Sequence, residues 1–424
     1  MVSLARIDTE VDVLVVGGGT AGAIAATQAA RAGATVAVLE RGPQLGGTMS
    51  TGGVAFPGLF HAWGRQIIAG IGWELVLRTV ALGGGTLPDF SQPCGDHHWL
   101  HQILLDGALY AAIAEEACLE AGVGLCYYEI PTAVRREGGH WLVETLGKGM
   151  RRRITCAQLI DCTGDADVVA MAGFPRIRGE TRQPGTLLFR LGGYDVARLD
   201  PTAIEARYRE ALAQGDLCSG DVANVRAPFL SFLRSGGNNA QHVFGADSAT
   251  SQTQTAANIA GRQSLLRLLR FVRTLPGCEG AYLVTLASET AVRETYRIAG
   301  ETTVTVDDYI SGHRFPDTVC YAFYPVDVHT EAGVEPRQLQ PGVVPTVPLA
   351  ALIPKGSDNL LVAGRCISSD RLANSALRVQ APCMAMGQAA GAAAALAVRR
   401  NTTPGTVPYA DLAALLRAHA AIVP

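Results

Sequence analysis

Residues 11–40 constrain the fold of this chain more than any other segment. The segment opens with an almost uninterrupted apolar run, which is typical of a parallel strand buried on both faces. Gly17, Gly19 and Gly22 then form the spacing G-x-G-x-x-G, an alanine-rich helix is predicted to follow, and a second predicted strand ends at Glu40. This order of elements predicts a βαβ unit that binds a dinucleotide, rather than a glycine-rich turn without a ligand.

Each part of this pattern has a physical role. Gly17 permits a tight turn, Gly19 lets the backbone approach a pyrophosphate, and Gly22 lets the helix pack close to the strand. Unpaired N–H groups and the positive end of the helix dipole favour phosphates at the helix N-terminus. Glu40 can accept hydrogen bonds from ribose hydroxyls and would repel a 2′-phosphate. These residues leave open whether the dinucleotide is NAD or FAD.

Composition and charge narrow the class of protein. The chain has 424 residues, of which 48% are hydrophobic and 17% are charged, so it is globular rather than disordered. Its net charge of −3 is spread along the chain, and nothing indicates nucleic acid or an anionic membrane as a partner. Residues 379–398 carry no charged side chain, but alanine and glycine dominate the segment, so its mean hydropathy is low for a membrane span. We therefore expect a buried helix rather than a membrane span.

The cysteines and the N-terminus indicate the compartment. None of the ten cysteines forms a C-x-x-C pair, which argues against iron–sulfur, zinc-ribbon and disulfide-reductase sites. Their spread suits reduced, mostly buried thiols. The first ten residues, MVSLARIDTE, are mixed in character and lead straight into the first predicted strand, so we expect no signal peptide. These features predict a cytoplasmic enzyme.

The predicted fold class is α/β, with a Rossmann-like FAD-binding domain and an inserted α+β substrate or cap domain. Glycines within 42–53 indicate that the backbone passes close to a long ligand, which favours FAD over NAD. Residues 159–173 predict a return to the parallel sheet, with a glycine at the carboxyl end of the strand. We predict an FAD-binding domain of residues 1–175 and 341–424, and a cap of residues 176–340. Helices are predicted at 66–82, 99–121, 201–214 and 252–273, and from about residue 381 onward.

One histidine-rich stretch raises the question of a metal. Cys94, His97, His98 and His101 could be imagined as ligands, because His97 and His101 would share one face of a helix. No acidic cluster and no second Cys/His pair accompanies them. We predict hydrogen-bonded histidines in a loop that enters a helix, and no metal site.

Several segments beyond the glycine motif resemble a known family. They are LIDCTGDADVVAMAG (159–173), PGCEGAYL (276–283), VRETYRIAGE (292–301), YPVDVH (324–329) and IPKGSDNLLVAGRCISSDRLANSALRVQAPCMAMGQAAG (353–391). With the N-terminal motif they resemble the FAD-dependent oxidoreductase family, which has the glutathione-reductase-like FAD fold. RLANSALR at 371–378 is similar to a segment beside the flavin in the succinate dehydrogenase/fumarate reductase flavoproteins. The resemblance covers nearly the whole chain.

The resemblance implies extended FAD, with the pyrophosphate at the glycine motif, the adenosine ribose at Glu40 and an inserted cap over the isoalloxazine ring. The cofactor-binding residues that it implies are Gly17, Gly19, Thr20, Ala21, Gly22, Glu40, Arg41, Gly46, Gly47, Thr48, Val134, Thr163, Gly164, Asp165, Gly364, Arg365, Asn374, Ser375, Arg378, Val379 and Gln380. The helix that starts near residues 381–383 would point its positive dipole end at flavin N1 and O2, where it stabilises the reduced flavin.

The chain also departs from these relatives. In the succinate dehydrogenase/fumarate reductase group a histidine after the glycine-rich loop carries covalent flavin, but GTMSTGG at 47–53 contains none. FAD is therefore predicted to be non-covalent. The dicarboxylate-binding motifs of that group are not recognisable, so succinate and fumarate are not implied. No second G-x-G-x-x-G is present for a dedicated NAD(P)H domain.

The expected chemistry is hydride transfer between a small-molecule substrate and flavin N5, with electrons passing to an external acceptor or O2. His329 is the first candidate for the acid/base group, since a neutral imidazole suits that role near neutral pH; the alternative is a hydrogen-bonded structural histidine. His61 and Tyr324 are further candidates for substrate binding. The sequence identifies neither the substrate nor the oligomeric state.

Three arginines are candidates for contact with an anionic substrate. Arg293 and Arg297, four residues apart, could present one guanidinium face, and Arg371 could anchor substrate beside the flavin. For Arg293 and Arg297 the alternative is a set of salt bridges to the neighbouring acids Glu289, Glu294 and Glu301.

Two other classes of function stay open at this point. In the first, FAD is structural or acts electrostatically in a non-redox reaction such as an isomerisation. In the second, the chain is an NAD-dependent dehydrogenase, which the glycine-rich segment 42–53 and the C-terminal motif disfavour.

Overall fold

The computed structural model describes residues 5–92, 97–223, 227–330, 333–334 and 336–424. The strands are β1 (Ala5–Val16), β2 (Val36–Glu40), β3 (His61–Ala62), β4 (Arg65–Gln66), β5 (Gly124–Tyr127), β6 (Ile130–Glu137), β7 (His140–Gly147), β8 (Met150–Asp161), β9 (Arg176–Ile177), β10 (Phe189–Gly192), β11 (Gly237–Asn238), β12 (Tyr282–Leu286), β13 (Arg297–Ile298), β14 (Thr318–Tyr321), β15 (His329–Thr330), β16 (Gly333–Val334), β17 (Thr346–Pro348) and β18 (Leu360–Val362). The α-helices are α1 (Thr20–Arg31), α2 (Ile71–Ala81), α3 (Gly107–Glu120), α4 (Asp167–Met171), α5 (Pro201–Gln214), α6 (Phe229–Ser235), α7 (Ser251–Val272), α8 (Val306–Ser311), α9 (Arg371–Leu377), α10 (Gln380–Arg400) and α11 (Tyr409–Ala418).

A seven-stranded sheet forms the centre of the molecule. Its order is β5-β2-β1-β8-β7-β6, and β18 pairs with the carboxyl end of β8. The pairs β5–β2, β2–β1, β1–β8 and β8–β18 are parallel, while β6, β7 and β8 form an antiparallel meander. The predicted α/β class with a Rossmann-like sheet is confirmed. The carboxyl ends of β1, β2, β8 and β18 meet at one edge, which is where such sheets bind ligands.

Two helices pack unusually close together on one face of this sheet. A Cβ on Gly387 of α10 would lie 2.2 Å from the carbonyl oxygen of Ala21 in α1, and a Cβ on Gly391 would lie 2.2 Å from that of Ala25. Only glycine permits this approach. The contact brings the start of α10 beside the start of α1, although the two helices are distant in sequence.

The middle of the chain has a core of its own. A three-stranded sheet of order β11-β10-β12 packs with α5, α6 and α7 around a hydrophobic cluster whose residues all fall within 189–281. Residues 304–344, in contrast, contribute side chains such as Val319 and Val344 to the same cluster as α1 and α10. The predicted cap of residues 176–340 therefore contains one stretch with its own core and another that packs on the main core.

Two predicted helices differ from those observed. The helix predicted at 66–82 begins only at Ile71, because residues 65–66 pair as β4. The helix predicted at 99–121 is a short 3₁₀ turn at His98–His101 followed by α3, whose start is fixed by Asp106 accepting from the N–H of Leu109. The helix predicted from about residue 381 is confirmed as α10, which begins at Gln380, and α11 follows it.

Among the described residues, α10 is long and apolar enough to cross a membrane by length and composition. However, 94% of its most apolar window is buried inside the protein. This is the position of a core helix, as the sequence predicts.

Candidate functional site

The glycine-rich turn after β1 leaves room for a ligand at one of its three glycines. A Cβ on Gly17 would lie 2.5 Å from the carbonyl oxygen of Cys162, and one on Gly22 would lie 1.8 Å from that of Gly17. A Cβ on Gly19, in contrast, would approach only Gly47, whose Cα is 3.9 Å away. Gly17 and Gly22 are thus required by packing, whereas Gly19 faces open space at the place predicted for the pyrophosphate.

The first turn of α1 supplies free hydrogen-bond donors to that space. The first helical bond runs from the N–H of Ala23 to Gly19, at 3.1 Å. Within the described part of the chain, the N–H groups of Ala21 and Gly22 donate to no protein acceptor, whereas the bridge between Gly19 and Gly46 directs the N–H of Thr20 at Gly46. Free N–H groups at the positive end of a helix dipole fit a pyrophosphate. The chain can therefore hold the phosphates of FAD with backbone groups at this turn.

Glu40 stands at the end of β2 and closes the other side of the turn. Its carboxylate accepts from the N–H groups of Gly18 at 2.8 Å and Gly42 at 2.7 Å. Burial raises the pKa of Glu40, although these two bonds and the charge of Arg41 oppose the shift. Each carboxylate oxygen has a second lone pair, so contact with a ribose hydroxyl remains open to it. Arg41 itself pairs with Glu289 at 2.9 Å.

The start of α10 is joined to the start of α1 by side chains. The hydroxyl of Thr20 lies 3.0 Å from Oε1 of Gln380 and 3.1 Å from the carbonyl oxygen of Gly46. The amide of Gln380 donates to Val54 at 2.7 Å. The same contacts hold the glycine-rich segment 46–54 between the two helix N-termini. Gly47 is needed there, because a Cβ on it would lie 2.9 Å from Gly19.

The turn of Thr163, Gly164 and Asp165 follows β8 and contacts Arg365 after β18. The guanidinium of Arg365 donates to Gly164 at 2.9 Å and to Asp165 at 2.5 Å. The same oxygen of Asp165 accepts from Ser248 at 2.9 Å and from Thr295. Asp165 and Arg365 were predicted to contact the cofactor. In the structure they hold the sheet edge to residues 248 and 295 of the middle segment, and their contact with FAD stays a prediction.

Other residues predicted to contact the cofactor lie on α9, after β18 and in the core of the sheet. Along α9, Asn374 donates to the carbonyl oxygen of Arg365 at 2.9 Å, and the hydroxyl of Ser375 accepts from the N–H of Asp327 at 3.0 Å. Gly364 has a φ of 98°, which favours glycine. The side chain of Val134 is buried in the core with Val16 and Leu39.

Two more of these residues contact the segment that follows β2. The carbonyl oxygen of Thr48 accepts from Val54 at 3.0 Å. Val379, the N-cap of α10, lies so close to Gly58 that a Cβ there would be 2.4 Å from its side chain. Both positions are consistent with a ligand along this segment, and their roles stay predictions.

His329, the predicted acid/base residue, lies in a buried polar cluster beside these elements. Its Nε2 is 3.2 Å from Oδ2 of Asp327, and Arg378 is 3.5 Å from the same oxygen. Its backbone N–H donates to Gln183 at 3.0 Å. Although burial opposes ionisation, the hydrogen bond from His329 and the charges of Arg378 and Arg293 hold the pKa of Asp327 to about 2. Asp327 is therefore a carboxylate at neutral pH.

A second histidine, His242, extends this cluster. Its Nε2 lies 2.9 Å from Nδ1 of His329, and both rings are buried. Burial and the neighbouring charge of Arg293 lower the pKa of His242 to about 3. Burial also lowers the pKa of His329, to about 4, although its bond to Asp327 opposes the shift. Both imidazoles are neutral at neutral pH.

The arginines predicted to contact substrate have different partners. Arg293 is buried and donates to Pro184 at 2.6 Å and to Thr186 at 2.9 Å. Burial and the nearby Arg378 lower its pKa to about 9. Arg297 donates to the carbonyl oxygen of Ser369 at 3.0 Å. No helix forms at residues 291–298, so the two guanidinium groups do not share a face.

The alternative, that Arg293 and Arg297 form salt bridges to neighbouring glutamates, is wrong, because each of those glutamates has another partner. Glu289 pairs with Arg41, and Glu294 pairs with Arg371 at 2.9 Å. Glu301 accepts from the N–H of Gly356 at 2.8 Å. Arg371 is thus held by a buried acid rather than left free for substrate.

His61 and Tyr324 lie in aromatic surroundings. The ring of His61 stacks on Phe90 with centroids 3.7 Å apart, and burial lowers its pKa to about 4. The hydroxyl of Tyr324 accepts from Gln102 at 3.0 Å, and its ring is 5.1 Å from that of His98. Burial and the charge of Asp327 raise the pKa of Tyr324.

The histidine-rich stretch contains ordinary contacts where it is described. His97 and His98 meet the ring of Trp99, and Nε2 of His101 is 2.8 Å from the carbonyl oxygen of Gln92. Cys94 lies outside the described residues. Within the described ranges, His, Cys, Asp and Glu side chains form no group of three that could hold a metal ion.

The sequence did not reveal three members of the buried cluster. Asp327 lies in the segment YPVDVH, so its proximity to His329 could have been noticed. Gln183 and His242 lie in irregular segments far from His329 along the chain, and their spacing gives no signal.

A family model described as FAD dependent oxidoreductase matches residues 12–416. No protein of curated function matches the sequence.

Solved structures match this chain at low identity and with TM-scores below 0.5. A geranylgeranyl bacteriochlorophyll reductase-like protein from Thermoplasma acidophilum is 13% identical, with a TM-score of 0.45 over 97% of this chain and 83% of that one. The myxobacterial chondrochloren halogenase CndH is 13% identical, with a TM-score of 0.46 over 97% of this chain and 79% of that one. The anhydrotetracycline hydroxylase OxyS from Streptomyces rimosus is 17% identical, with a TM-score of 0.31 over 46% of this chain and 41% of that one. Likeness at this level carries no argument about the reaction.

Proposed function

This chain belongs to the FAD-dependent oxidoreductase family, and we propose that it holds FAD non-covalently and uses it to oxidise or reduce a small organic substrate. Bound FAD supplies an atom, N5, that accepts or donates a hydride. Electrons then pass to or from an external acceptor, or to O2. The chain's own residues bind the cofactor, position the substrate and move the proton that accompanies the hydride.

The observation that carries this proposal is the buried chain of Asp327, His329 and His242. Oxidation of a C–H/O–H or C–H/N–H pair, or reduction of a double bond, requires a proton to be moved as well as a hydride. Neutral, hydrogen-bonded imidazoles suit that task at neutral pH. The chain adjoins Ser375 and Arg378, which lead directly into the start of α10.

The charge of the cluster supports a substrate that carries an anionic group. Arg293 is buried and Arg378 is largely buried, and Asp327 is the carboxylate whose charge acts most strongly on both. Nε of Arg378 is buried without a hydrogen-bond partner in that part of the chain. An excess of buried positive charge is unfavourable unless an anion offsets it. A carboxylate on the substrate would do so.

The predicted domain division and location are part of the same proposal. Residues 189–281 have a hydrophobic cluster of their own, which supports an inserted domain that covers the substrate. The nine cysteines of the described ranges are all free, which supports a reducing compartment such as the cytoplasm.

The test begins with the purified protein, which should be yellow and should release FAD on acid precipitation. The FAD-loaded protein is then mixed anaerobically with alcohols, amines and enones, each as a carboxylate and as its neutral amide. We expect at least one carboxylate to bleach the oxidised flavin and its amide to bleach it more slowly. Bleaching by amides and carboxylates at equal rates would contradict the anionic substrate. A colourless protein that retains no FAD would contradict the proposed function.

A further inference from the structure

Both ring nitrogens of His329 are already in use. Nε2 faces the carboxylate of Asp327 at 3.2 Å, and Nδ1 faces Nε2 of His242 at 2.9 Å. To take a proton from a substrate, His329 would have to break one of these bonds. The residue predicted from sequence as the base is therefore placed in the middle of a hydrogen-bonded chain and not at its end.

The partners fix which nitrogens carry protons. An ionised carboxylate only accepts hydrogen bonds, so Nε2 of His329 must be the N–H that donates to Asp327. A neutral imidazole has one N–H, so Nδ1 of His329 is an acceptor. Nε2 of His242 must then be the N–H that donates to it. This leaves Nδ1 of His242 with a lone pair, and that atom bonds to no described residue.

We propose that His242 is the catalytic base of this site and that Nδ1 is the atom that exchanges the substrate proton. His329 relays the proton and Asp327 positions the relay. The inference rests on the proposed function, since it concerns the proton that accompanies hydride transfer. Asp327 itself is a poor base, because it binds a proton only under acidic conditions.

The step balances as a double proton transfer. The substrate O–H or N–H bond breaks, its electron pair stays on oxygen or nitrogen, and the proton bonds to Nδ1 of His242. The Nε2–H bond of His242 breaks, and that proton bonds to Nδ1 of His329. Bound FAD of the proposed function would supply the acceptor for the hydride of the adjacent carbon. In the reducing direction each transfer runs in reverse.

The surrounding charges decide where the proton comes to rest. His242 faces the cation of Arg293, the ring of His329 and, further off, Asp327. His329 faces Asp327 directly, with Arg293 and Arg378 beyond it. A cation is therefore better tolerated on His329, next to the carboxylate, than on His242. The relay moves positive charge away from Arg293 and toward Asp327.

The first test reads the tautomers without any substrate. In protein labelled with ¹⁵N-histidine, long-range ¹H–¹⁵N spectra are recorded between about pH 5.5 and about pH 8.5, where an ordinary histidine titrates. His242→Gln identifies the His242 signals by their loss. We expect His242 and His329 both to be neutral, with Nε2 protonated and Nδ1 bare. A protonated Nδ1 on His242 would overturn the proposal.

The second test separates the base from the relay. Glutamine places an amide N–H near the former Nε2, so His242→Gln retains a donor to His329 and lacks the base. We expect it to slow flavin bleaching by a substrate at least about 100-fold, which is typical of losing a general base. FAD content and the His329 tautomer should stay as in the wild type, and the exposed His140→Gln is the matched control. Wild-type bleaching rates in His242→Gln would overturn the assignment, whereas failure of the wild type to be bleached by any substrate would instead contradict the proposed function.

Discussion

The hydroxyl of Thr20 lies 3.0 Å from Oε1 of Gln380, and this contact joins the first turns of α1 and α10. The amide of the same glutamine donates to Val54, so one side chain connects both helix N-termini with the glycine-rich segment between them. The FAD site proposed here is thus assembled from the two ends of the chain. The middle of the chain supplies His242 and the contacts to Asp165.

Gln380→Ala should loosen this assembly. It leaves the carbonyl oxygen of Val54 without the amide that donates to it, whereas the hydroxyl of Thr20 retains the carbonyl oxygen of Gly46 as its acceptor. Leaving one buried polar group unsatisfied costs about 1–3 kcal/mol. We expect unfolding in urea at a lower concentration and faster loss of FAD on dialysis. Gln214→Ala, which removes an exposed helical contact to Glu210, is the control and should change stability by less than about 0.5 kcal/mol. Equal effects of the two variants would contradict the role of Gln380.

Gly19→Ala should weaken FAD binding without unfolding the protein. The backbone at Gly19 has a φ of −68°, which alanine adopts, and the new methyl group would extend into open space. If the pyrophosphate lies in that space, the methyl group obstructs it, and we expect FAD affinity to fall at least about tenfold, or about 1.4 kcal/mol. Gly124→Ala in β5, where a Cβ has ordinary contacts, is the control. Calorimetric titration of the apo-protein with FAD measures both, and unchanged affinity in Gly19→Ala would place the phosphates elsewhere.

Asp165→Ala should detach the middle segment from the sheet edge. It leaves the guanidinium of Arg365 without its acidic partner at 2.5 Å, and breaking a buried ion pair costs about 3 kcal/mol or more. The hydroxyls of Ser248 and Thr295 also lose their acceptor. We expect a lower unfolding free energy and faster limited proteolysis between residues 176 and 298. Asp358→Ala, which changes an exposed aspartate outside that window, should change neither. Wild-type proteolysis in Asp165→Ala would show that this contact does not hold the two parts together.

Local patterns explain why much of the fold could be predicted. The predicted helix at 201–214 is confirmed as α5, because Asp200 accepts from the N–H groups of Thr202 and Ala203 and Gly215 ends the helix with a φ of 81°. The βαβ unit at residues 11–40 could also be predicted from neighbouring residues alone, since its strand, glycines and helix follow one another directly in the sequence. Family membership and FAD likewise follow from segments that can be recognised one at a time.

The contacts that could not be predicted join distant irregular segments. Nothing near His242 in sequence indicates that it meets His329, because neither lies in a helix or a long strand with a readable period. Asp165 was expected at the cofactor, but its partners Ser248 and Arg365 become neighbours only after the middle of the chain folds back on the sheet. Arg293 and Arg297 were placed on a common face by their spacing, which has that meaning only in a helix.

Stability should fall as the pH is lowered through the ordinary range of histidine. The pKa values of His242 and His329 are about 3 and about 4 in the folded protein, against about 6.5 in the unfolded chain. Between about pH 6.5 and about pH 4 the unfolded state therefore binds protons that the folded state does not. Each histidine makes the unfolding free energy fall by up to about 1.4 kcal/mol per pH unit as the pH decreases in this window.

The measurement is urea unfolding of the wild type and of His242→Gln at several pH values in that window. The variant lacks one of the two groups, so its unfolding free energy should depend less steeply on pH. His140→Gln, which removes an exposed histidine, should retain the wild-type dependence. Parallel curves for all three proteins would show that His242 is not held neutral by its surroundings.

The central claim is that FAD in this protein exchanges electrons with the substrate, and one anaerobic experiment tests it most directly. FAD-loaded protein is mixed with a slight excess of the best substrate from the panel, the oxidised flavin spectrum is recorded, and the product is quantified after acid quenching. We predict complete bleaching, with product formed in an amount equimolar to FAD and restored colour on admission of an electron acceptor. Conversion of the substrate while the flavin spectrum stays oxidised would contradict it and would establish a non-redox use of FAD.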